Sequence, residues 1–209
     1  MSDSENLLLV SPGCPHCHAM RSLLLQFQQQ GQLTDFDVVD ISQQPQVAET
    51  YGVRSVPWLR LGELEFVGSH SQAELEPWLP GSASAKLEDH FAHLLKAGNL
   101  AQVTDRVRRE PETLSALIKL LADVDTPITV QLGIGAVMES MEGSEALARQ
   151  TSSLTGLVDS KEPRIRADVC HYLGLTGDTA ALPALQICLK DDNPDVREIA
   201  QEAIEALGG

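Results

Sequence analysis

The chain has 209 residues, of which 43% are apolar and 22% charged, so it is long enough to bury one or two hydrophobic cores. Thirty Asp and Glu residues against fifteen Lys and Arg residues give a net charge of -15, which argues against nucleic acid and anionic membrane surfaces as partners. No run approaches the ~20 apolar residues that span a bilayer, and acidic residues precede the short apolar run Leu7 to Val10, so we expect no signal peptide and a cytoplasmic location.

Up to about residue 80, short runs of β-forming residues alternate with segments that have apolar residues at helical spacing. The first predicted helix has four apolar residues on one face and is closed by Gly31. The predicted elements are, in chain order, a strand at Leu7–Val10, a helix at Cys14–Gln30, a strand at Phe36–Ile41, a helix at Gln46–Tyr51, strands at Trp58–Leu61 and Glu63–Val67, and a helix at Ser71–Leu79. This βαβαββα order predicts a small mixed sheet with helices on its faces.

The composition changes after residue 80. Residues 81–85, within the segment PGSASA, are small and polar and predict a linker, and strand-forming runs are absent from there onward. Helical segments then follow in pairs, and a turn with a proline at the first helical position marks them at Pro127, Pro163 and Pro194. These prolines are 36 and 31 residues apart, a period typical of a helical-repeat array. We therefore predict an all-α domain over residues 86–209.

The last of these segments carries a specific motif. Aligning Pro163 with Pro194 also aligns Leu154 with Leu185, Ile165 with Val196, Arg166 with Arg197 and Gly177 with Gly208. Gly177 to Gly208 has a G-D start, an L-P-A-L first helix, a D-x-x-P-x-V-R turn and an A-x-x-A-L second helix, and it resembles a HEAT repeat of the phycobilisome-lyase type. Leu154 to Gly177 is a second copy, and Pro127 begins a degenerate one. The resemblance implies that Arg166 and Arg197 pair with an acidic residue of the turn.

The N-terminal half contains a compact cysteine motif, Cys14-Pro15-His16-Cys17-His18. This pattern fits c-type haem attachment, a metal site or thiol-disulfide exchange. Haem attachment requires assembly outside the cytoplasm, which the absence of a signal peptide disfavours. A metal site is disfavoured because consecutive helical positions point in different directions, although Cys14 and Cys17 of two chains could bridge a zinc or iron-sulfur centre. We predict no metal and no cofactor.

The position of the motif favours exchange chemistry. Cys14 follows a strand and begins a helix, where unpaired N–H groups and the helix dipole stabilise a thiolate. Cysteines at such positions have a lowered pKa and are nucleophilic at neutral pH. Cys17 lies on the same side one turn later, so it is placed to resolve the mixed disulfide that Cys14 forms.

A second stretch, Tyr51 to Trp58 (YGVRSVPW), resembles the cis-proline loop of the thioredoxin fold. Together with the cysteine motif and the element order, it makes residues 7–79 similar to thioredoxin-like and glutaredoxin-like proteins. The resemblance implies a cis bond at Val56-Pro57 and a substrate groove formed by Val56, Pro57 and Trp58, with packing as the other role of Trp58. Residues Pro15 and His16 are expected to tune the thiolate.

The sequence departs from that family at two positions. Leu8 stands where thioredoxins commonly have an acidic residue that handles protons for the second cysteine. Gly13 precedes the first cysteine, as in glutaredoxins, where thioredoxins commonly have an aromatic residue. The motif C-P-H-C is also that of the periplasmic disulfide oxidases, and His16 alone does not assign the direction of electron flow.

These observations predict a thioredoxin-like α/β domain at 1–80, a linker at 81–85 and a HEAT-like repeat domain at 86–209. The leading hypothesis is a thiol-disulfide oxidoreductase with Cys14 as nucleophile and Cys17 as resolving thiol, which exchanges with a thiol reductant or a disulfide substrate while the repeats recruit a protein partner. The alternative is a non-catalytic scaffold in which the first domain is a docking or metal-bridging module. The remaining cysteines and three histidines are predicted to be core or solvated residues: Cys170, Cys188, His90, His93 and His171.

Overall fold

The computed structural model describes residues 5–208, which divide into one compact unit ending at His90 and another beginning at Phe91. The first unit has the predicted βαβαββα order. Its elements are β1 (Asn6–Val10), α1 (Pro15–Gln29), β2 (Asp37–Asp40), α2 (Pro45–Thr50), β3 (Trp58–Leu61), β4 (Leu64–Val67) and α3 (Gln72–Leu75), which is followed by a 3₁₀ turn at Glu76–Trp78.

The four strands form one mixed sheet, as the sequence predicts, and their order in it is β2-β1-β3-β4. Strand β1 pairs parallel with β2 and antiparallel with β3, and β3 pairs antiparallel with β4. Because β1 is a central strand, it is apolar on both faces, and Leu8 and Leu9 are both fully buried. The register places Trp58, the first residue of β3, opposite Leu9 near the end of β1.

The last predicted helix of this unit, Ser71–Leu79, is shorter than expected. It begins with a capping box, in which the main-chain N–H of Ser71 donates to the carboxylate of Glu74 at 2.7 Å. The α-helix ends at Leu75 and a 3₁₀ turn replaces its last part. Pro77 explains the change, because it has no N–H to continue the helical hydrogen bonds.

The core of the first unit lies between the sheet and its helices. The fully buried side chains there include Leu8, Met20, Leu24, Phe27, Leu59 and Leu75.

His90 is buried against this core, with 2% of its surface exposed, and its ring centroid lies 4.7 Å from that of Phe66 and 5.1 Å from that of Trp78. Its Nε2 atom is 2.9 Å from the main-chain oxygen of Glu65, so the predicted core role of His90 agrees with the structure.

The segment predicted as a linker contains two turns, in which the N–H of Ser82 donates to Leu79 O and the N–H of Ala85 donates to Ser82 O. Ala85 and Leu87 are half-buried against the core of the first unit. Helix α4 (Leu87–Lys96) therefore begins within this unit and extends past its end at His90. The domain limits at residues 80 and 86 stay predictions.

The described residues of the second unit form helices joined by turns, with no strand among them. After α4 come α5 (Leu100–Arg109), α6 (Leu114–Ala122), α7 (Ile128–Glu139), α8 (Glu145–Ala148), α9 (Thr151–Thr155), α10 (Pro163–Leu175), α11 (Leu182–Cys188) and α12 (Pro194–Ala206). Pro163 and Pro194 occupy the first position of their helices, as predicted. Pro127 instead precedes its helix, which begins at Ile128. It has an extended backbone and is the N-cap residue of α7.

Aligned positions of the two clearest repeats have equivalent environments. Ile165 and Val196 are 1% and 0% exposed, and Leu154 and Leu185 are both fully buried. Gly177 and Gly208 both have positive φ angles, of 67° and 78°, so each ends its repeat in a conformation that favours glycine. Helix α10 packs against α9 as α12 packs against α11, so the two repeats bury the same aligned side chains.

The two aligned arginines differ in their partners. Arg166 makes a two-point ion pair with Asp191, with Nε–Oδ2 and Nη2–Oδ1 distances of 2.6 and 2.7 Å, and its Nη1 donates to Ser160 O at 2.7 Å. Arg197 donates to the main-chain oxygens of Asp191 and Asp192 at 2.6 and 3.1 Å. The expected pairing with a carboxylate therefore holds for Arg166, whose partner lies in the next repeat. The side chain of Arg197 instead binds main-chain oxygens of the turn and stabilises the turn in that way.

Candidate active site

The chain leaves the sheet at Val10 and reaches Cys14 through a tight turn. Gly13 has a φ angle of 75°, a conformation that other residues adopt at a cost of about 1 kcal/mol. The N–H of Cys14 donates to Ser11 O at 3.4 Å, which closes the turn. Cys14 is extended, with φ -80° and ψ 109°, and it is the N-cap of α1, so its sulfur faces the unpaired N–H groups of the first helical turn.

The two sulfurs of the motif have different environments. The Cys14 side chain is partly exposed, whereas Cys17 is 3% exposed. The main-chain N–H of Cys17 donates to Cys14 Sγ at 3.2 Å. The Cys17 thiol lowers the pKa of Cys14 by hydrogen bonding, and the N–H groups of Cys17 and His16 add to this effect. Burial raises the pKa of Cys17, and its interaction with Cys14 raises it further.

We expect the alkylation rate of Cys14 to follow a titration whose midpoint lies below the pKa of about 8.5 of an ordinary cysteine. The lowered pKa leaves more thiolate at neutral pH, so the rate should level off at lower pH than for a cysteine in an unfolded peptide. The measurement is the iodoacetamide rate at each pH, followed by mass spectrometry of the peptide that contains residue 14. A midpoint at or above that of the same peptide in urea would contradict this assignment.

Pro15 and His16 are both exposed between the two cysteines. Pro15 is the first residue of α1, where a fixed φ angle favours the helix and no N–H is lost. His16 acts on Cys14 through its main-chain N–H. A tuning role for the imidazole ring of His16 stays a prediction.

The predicted proline loop and the cysteine motif lie at the same end of the sheet, where β1 ends and β3 begins. The Val56-Pro57 bond is cis. Because Trp58 pairs with Leu9, the chain enters β3 beside the point where β1 continues toward Cys14. The Pro57 carbonyl accepts the N–H of Gly68 at 2.9 Å. Within residues 5–208, the main-chain N–H and C=O of Val56 make no hydrogen bond to other main-chain groups, and its side chain is partly exposed.

Trp58 packs inside the first unit and is only 3% exposed. Its ring centroid lies 5.1 Å from that of Tyr51, and the guanidinium carbon of Arg60 lies 5.4 Å from the Tyr51 ring centroid. This burial favours the packing role considered for Trp58, and its place in a substrate groove stays a prediction. Tyr51 thus packs beside the indole and Arg60 packs over the Tyr51 ring, and neither contact was predicted from the sequence.

The other predicted core cysteines are buried, and they contact each other. Cys170 on α10 is fully buried and Cys188 at the end of α11 is 2% exposed. Their thiols interact by a side-chain hydrogen bond. Their contact was not predicted from the sequence, because it depends on how helices α10 and α11 pack against each other.

Metal-ligand clusters and membrane-spanning helices have no counterpart among the features of residues 5–208. No group of three or more His, Cys, Asp or Glu side chains within residues 5–208 is arranged to hold a metal ion. Of the helices in that part of the chain, none has the length and apolar character needed to cross a membrane.

Comparison with known families agrees with the fold. Residues 6–80 match the family model of the thioredoxin domain, and residues 114–205 match that of HEAT repeats. A search of curated proteins finds no match to the chain. The chain therefore contains a thioredoxin-like domain followed by helical HEAT repeats, as predicted. The phycobilisome-lyase type of the repeats stays a prediction.

Proposed function

We propose that this thioredoxin-like domain, joined to HEAT repeats, catalyses thiol-disulfide exchange with a protein substrate through Cys14 and Cys17. The observation that carries the proposal is the asymmetry of the pair. Cys14 is partly exposed and its sulfur accepts an N–H at the start of α1, whereas Cys17 is buried and retains its proton. The Cys14 sulfur is thus placed to attack the substrate, and the Cys17 sulfur to resolve the mixed disulfide that forms.

In the reductive direction, the Cys14 thiolate attacks one sulfur of a substrate disulfide. The substrate S–S bond breaks, a mixed disulfide forms on Cys14, and the released substrate thiolate takes a proton. Cys17 then loses its proton and attacks Cys14 Sγ, which releases the second substrate thiol. Two electrons pass from the cysteine pair to the substrate, and a Cys14–Cys17 disulfide remains. The oxidative direction is the reverse of these steps.

The loop that precedes β3 offers a place for the substrate chain. The N–H and C=O of Val56 are available for an extended peptide to pair with, in the manner of an added strand. Pro57 is buried and shapes the loop, so the contact surface falls mainly to Val56. This arrangement supports a peptide segment as the substrate.

We assign recruitment of the partner to the HEAT repeats, and a cytoplasmic location completes the proposal. Repeat arrays bind proteins along extended surfaces. Two residues one helical turn apart on α7, Ile128 and Leu132, are 64% and 68% exposed. Their apolar side chains provide a contact area for a partner, whose binding would raise the concentration of its disulfide near Cys14.

A redox titration tests the exchange function. Trypsin releases both cysteines in one peptide, residues 1–21, whose mass falls by two hydrogens when the disulfide forms. In glutathione buffers of increasing oxidised fraction, we expect this peptide to convert reversibly between the two masses. The Cys17→Ser variant should instead carry one glutathione adduct. If the native peptide acquires no disulfide in any buffer, exchange is excluded and the non-catalytic docking role takes its place.

A further inference from the structure

The C-terminal repeats contain a second pair of cysteines that the proposed function does not use. Cys170 lies on α10 and Cys188 is the last residue of α11, and both are free thiols with at most 2% exposure. Buried cysteines are often simple apolar packing residues. Three further observations distinguish this pair from that ordinary role.

The first observation is the register of the two helices. Arg166 on α10 is joined to Asp191, three residues beyond the end of α11, by N–O distances of 2.6 and 2.7 Å. In an antiparallel helix pair, residues further along one helix contact residues earlier in the other. One turn forward from Arg166 is Cys170, and about one turn back from Asp191 is Cys188. The ion pair therefore holds the two helices in the register that brings the cysteines together.

The second observation is access. Cys188 lines a cavity of about 800 Å³ together with Arg166, Gln186, Lys190 and Asp191, among others. This volume lies within the range of small-molecule binding sites. Cys170 does not line the cavity and is fully buried. A molecule in the cavity would thus meet Cys188 first, with Cys170 behind it.

The third observation is electrostatic and agrees with that order. The hydrogen bond from Cys170 lowers the pKa of Cys188, and the nearby Arg166 charge lowers it further, against the opposing effects of burial and of Asp191 and Asp159. The same thiol interaction, with burial, raises the pKa of Cys170. The accessible sulfur is thus the one that more readily becomes a thiolate.

We propose that Cys188 and Cys170 are a second redox-active dithiol, which a small-molecule disulfide entering this cavity oxidises to an intramolecular disulfide. The Cys188 thiolate attacks one sulfur of the small disulfide, whose S–S bond breaks, and the released thiolate takes a proton. Cys170 loses its proton and attacks Cys188 Sγ, which releases the second small thiol. Two cysteine thiols and one small disulfide become one protein disulfide and two small thiols, with two electrons moved.

The test uses the native full-length chain and glutathione disulfide as the probe. Trypsin releases Cys170 and Cys188 in one peptide, residues 167–190, so oxidation is read as a loss of two hydrogens. We expect this loss in native buffer, and its reversal by dithiothreitol. The Cys14→Ser/Cys17→Ser variant should show the same loss, which separates this pair from the proposed exchange site. If the Cys170–Cys188 disulfide forms only in the chain that retains Cys14 and Cys17, direct oxidation by a small-molecule disulfide is wrong.

Single variants test the order of the two sulfurs. In Cys170→Ala the reaction should stop at a glutathione adduct on Cys188. In Cys188→Ala, Cys170 should react at a rate at least on the order of tenfold lower than that of Cys188. Circular dichroism and thermal unfolding establish that each variant is folded. The wild-type chain provides a test that needs no variant. If its peptide 167–190 keeps its mass in native buffer, under conditions that oxidise the urea-unfolded chain, the pair is packing only and the proposal is wrong.

Discussion

Replacing Cys14 by Ser is expected to lower the rate of protein disulfide reduction on the order of 10³-fold or more, because a serine hydroxyl at this position is not a nucleophile at neutral pH. Cys17 cannot take over, since it is buried and its pKa is raised. The measurement is the reduction of insulin with dithiothreitol as the electron donor. An unchanged rate in the Cys14→Ser variant would contradict the roles assigned to the two cysteines.

Cys17→Ser is the matched control, because it keeps the nucleophile and removes only the resolving thiol. This variant should also lose turnover, but it should accumulate a mixed disulfide on Cys14 with its protein partner. Adding Ile128→Glu and Leu132→Glu to the same chain should reduce the trapped species if α7 recruits that partner. Ile187→Glu, at an apolar residue of α11 that is 63% exposed, measures what one added charge at another exposed position of the repeats does. Equal amounts of trapped partner in the Cys17→Ser chain with and without the two α7 substitutions would contradict recruitment through α7.

The second large effect is expected for Asp191→Ala, which should lower the free energy of unfolding of the repeats by ~3 kcal/mol. The side chains of Arg166 and Asp191 are only 14% and 9% exposed, so the variant leaves a largely buried guanidinium without its carboxylate. Asp192→Ala removes the neighbouring, exposed carboxylate and serves as the control. Urea unfolding of the full chain, followed by circular dichroism, gives both values. Equal values would show that the ion pair contributes little.

The same pair makes a prediction about pH. Hydrogen bonding to Arg166 holds the pKa of Asp191 below its ordinary range. A lowered carboxyl pKa stabilises the folded state above the ordinary value of about 3.9, and this contribution is lost as the pH falls through the lowered pKa. The difference in stability between the wild-type chain and Asp191→Ala should therefore be full at neutral pH and shrink in acid.

Sequence reasoning was most successful where a residue determines its own local backbone. The strand before Cys14 and the helical spacing of apolar residues after it predicted a helix start, and the structure makes Cys14 the N-cap of α1. The alignment of Gly177 with Gly208 was matched by positive φ angles at both. Such signals depend on chain chemistry within a few residues, which a single sequence contains in full.

The features that the sequence left open depend on residues distant in the chain. The contact of Cys170 with Cys188 follows from the register of two packed helices, which no local pattern specifies. The partner of Arg166 was expected in a turn, but the turn that supplies it belongs to the following repeat. Such pairings are decided by tertiary packing rather than by propensity.

The burial of His90 has a consequence for any attempt to produce the redox domain alone. A chain that stops at residue 80 lacks the imidazole that covers Phe66 and Trp78, and it also lacks Ala85 and Leu87, which pack on the same core. Water would then reach two large aromatic faces that the intact chain shields. Such a fragment would be prone to associate through these faces, so the shortest self-sufficient form of this domain should extend to at least the end of α4 at Lys96.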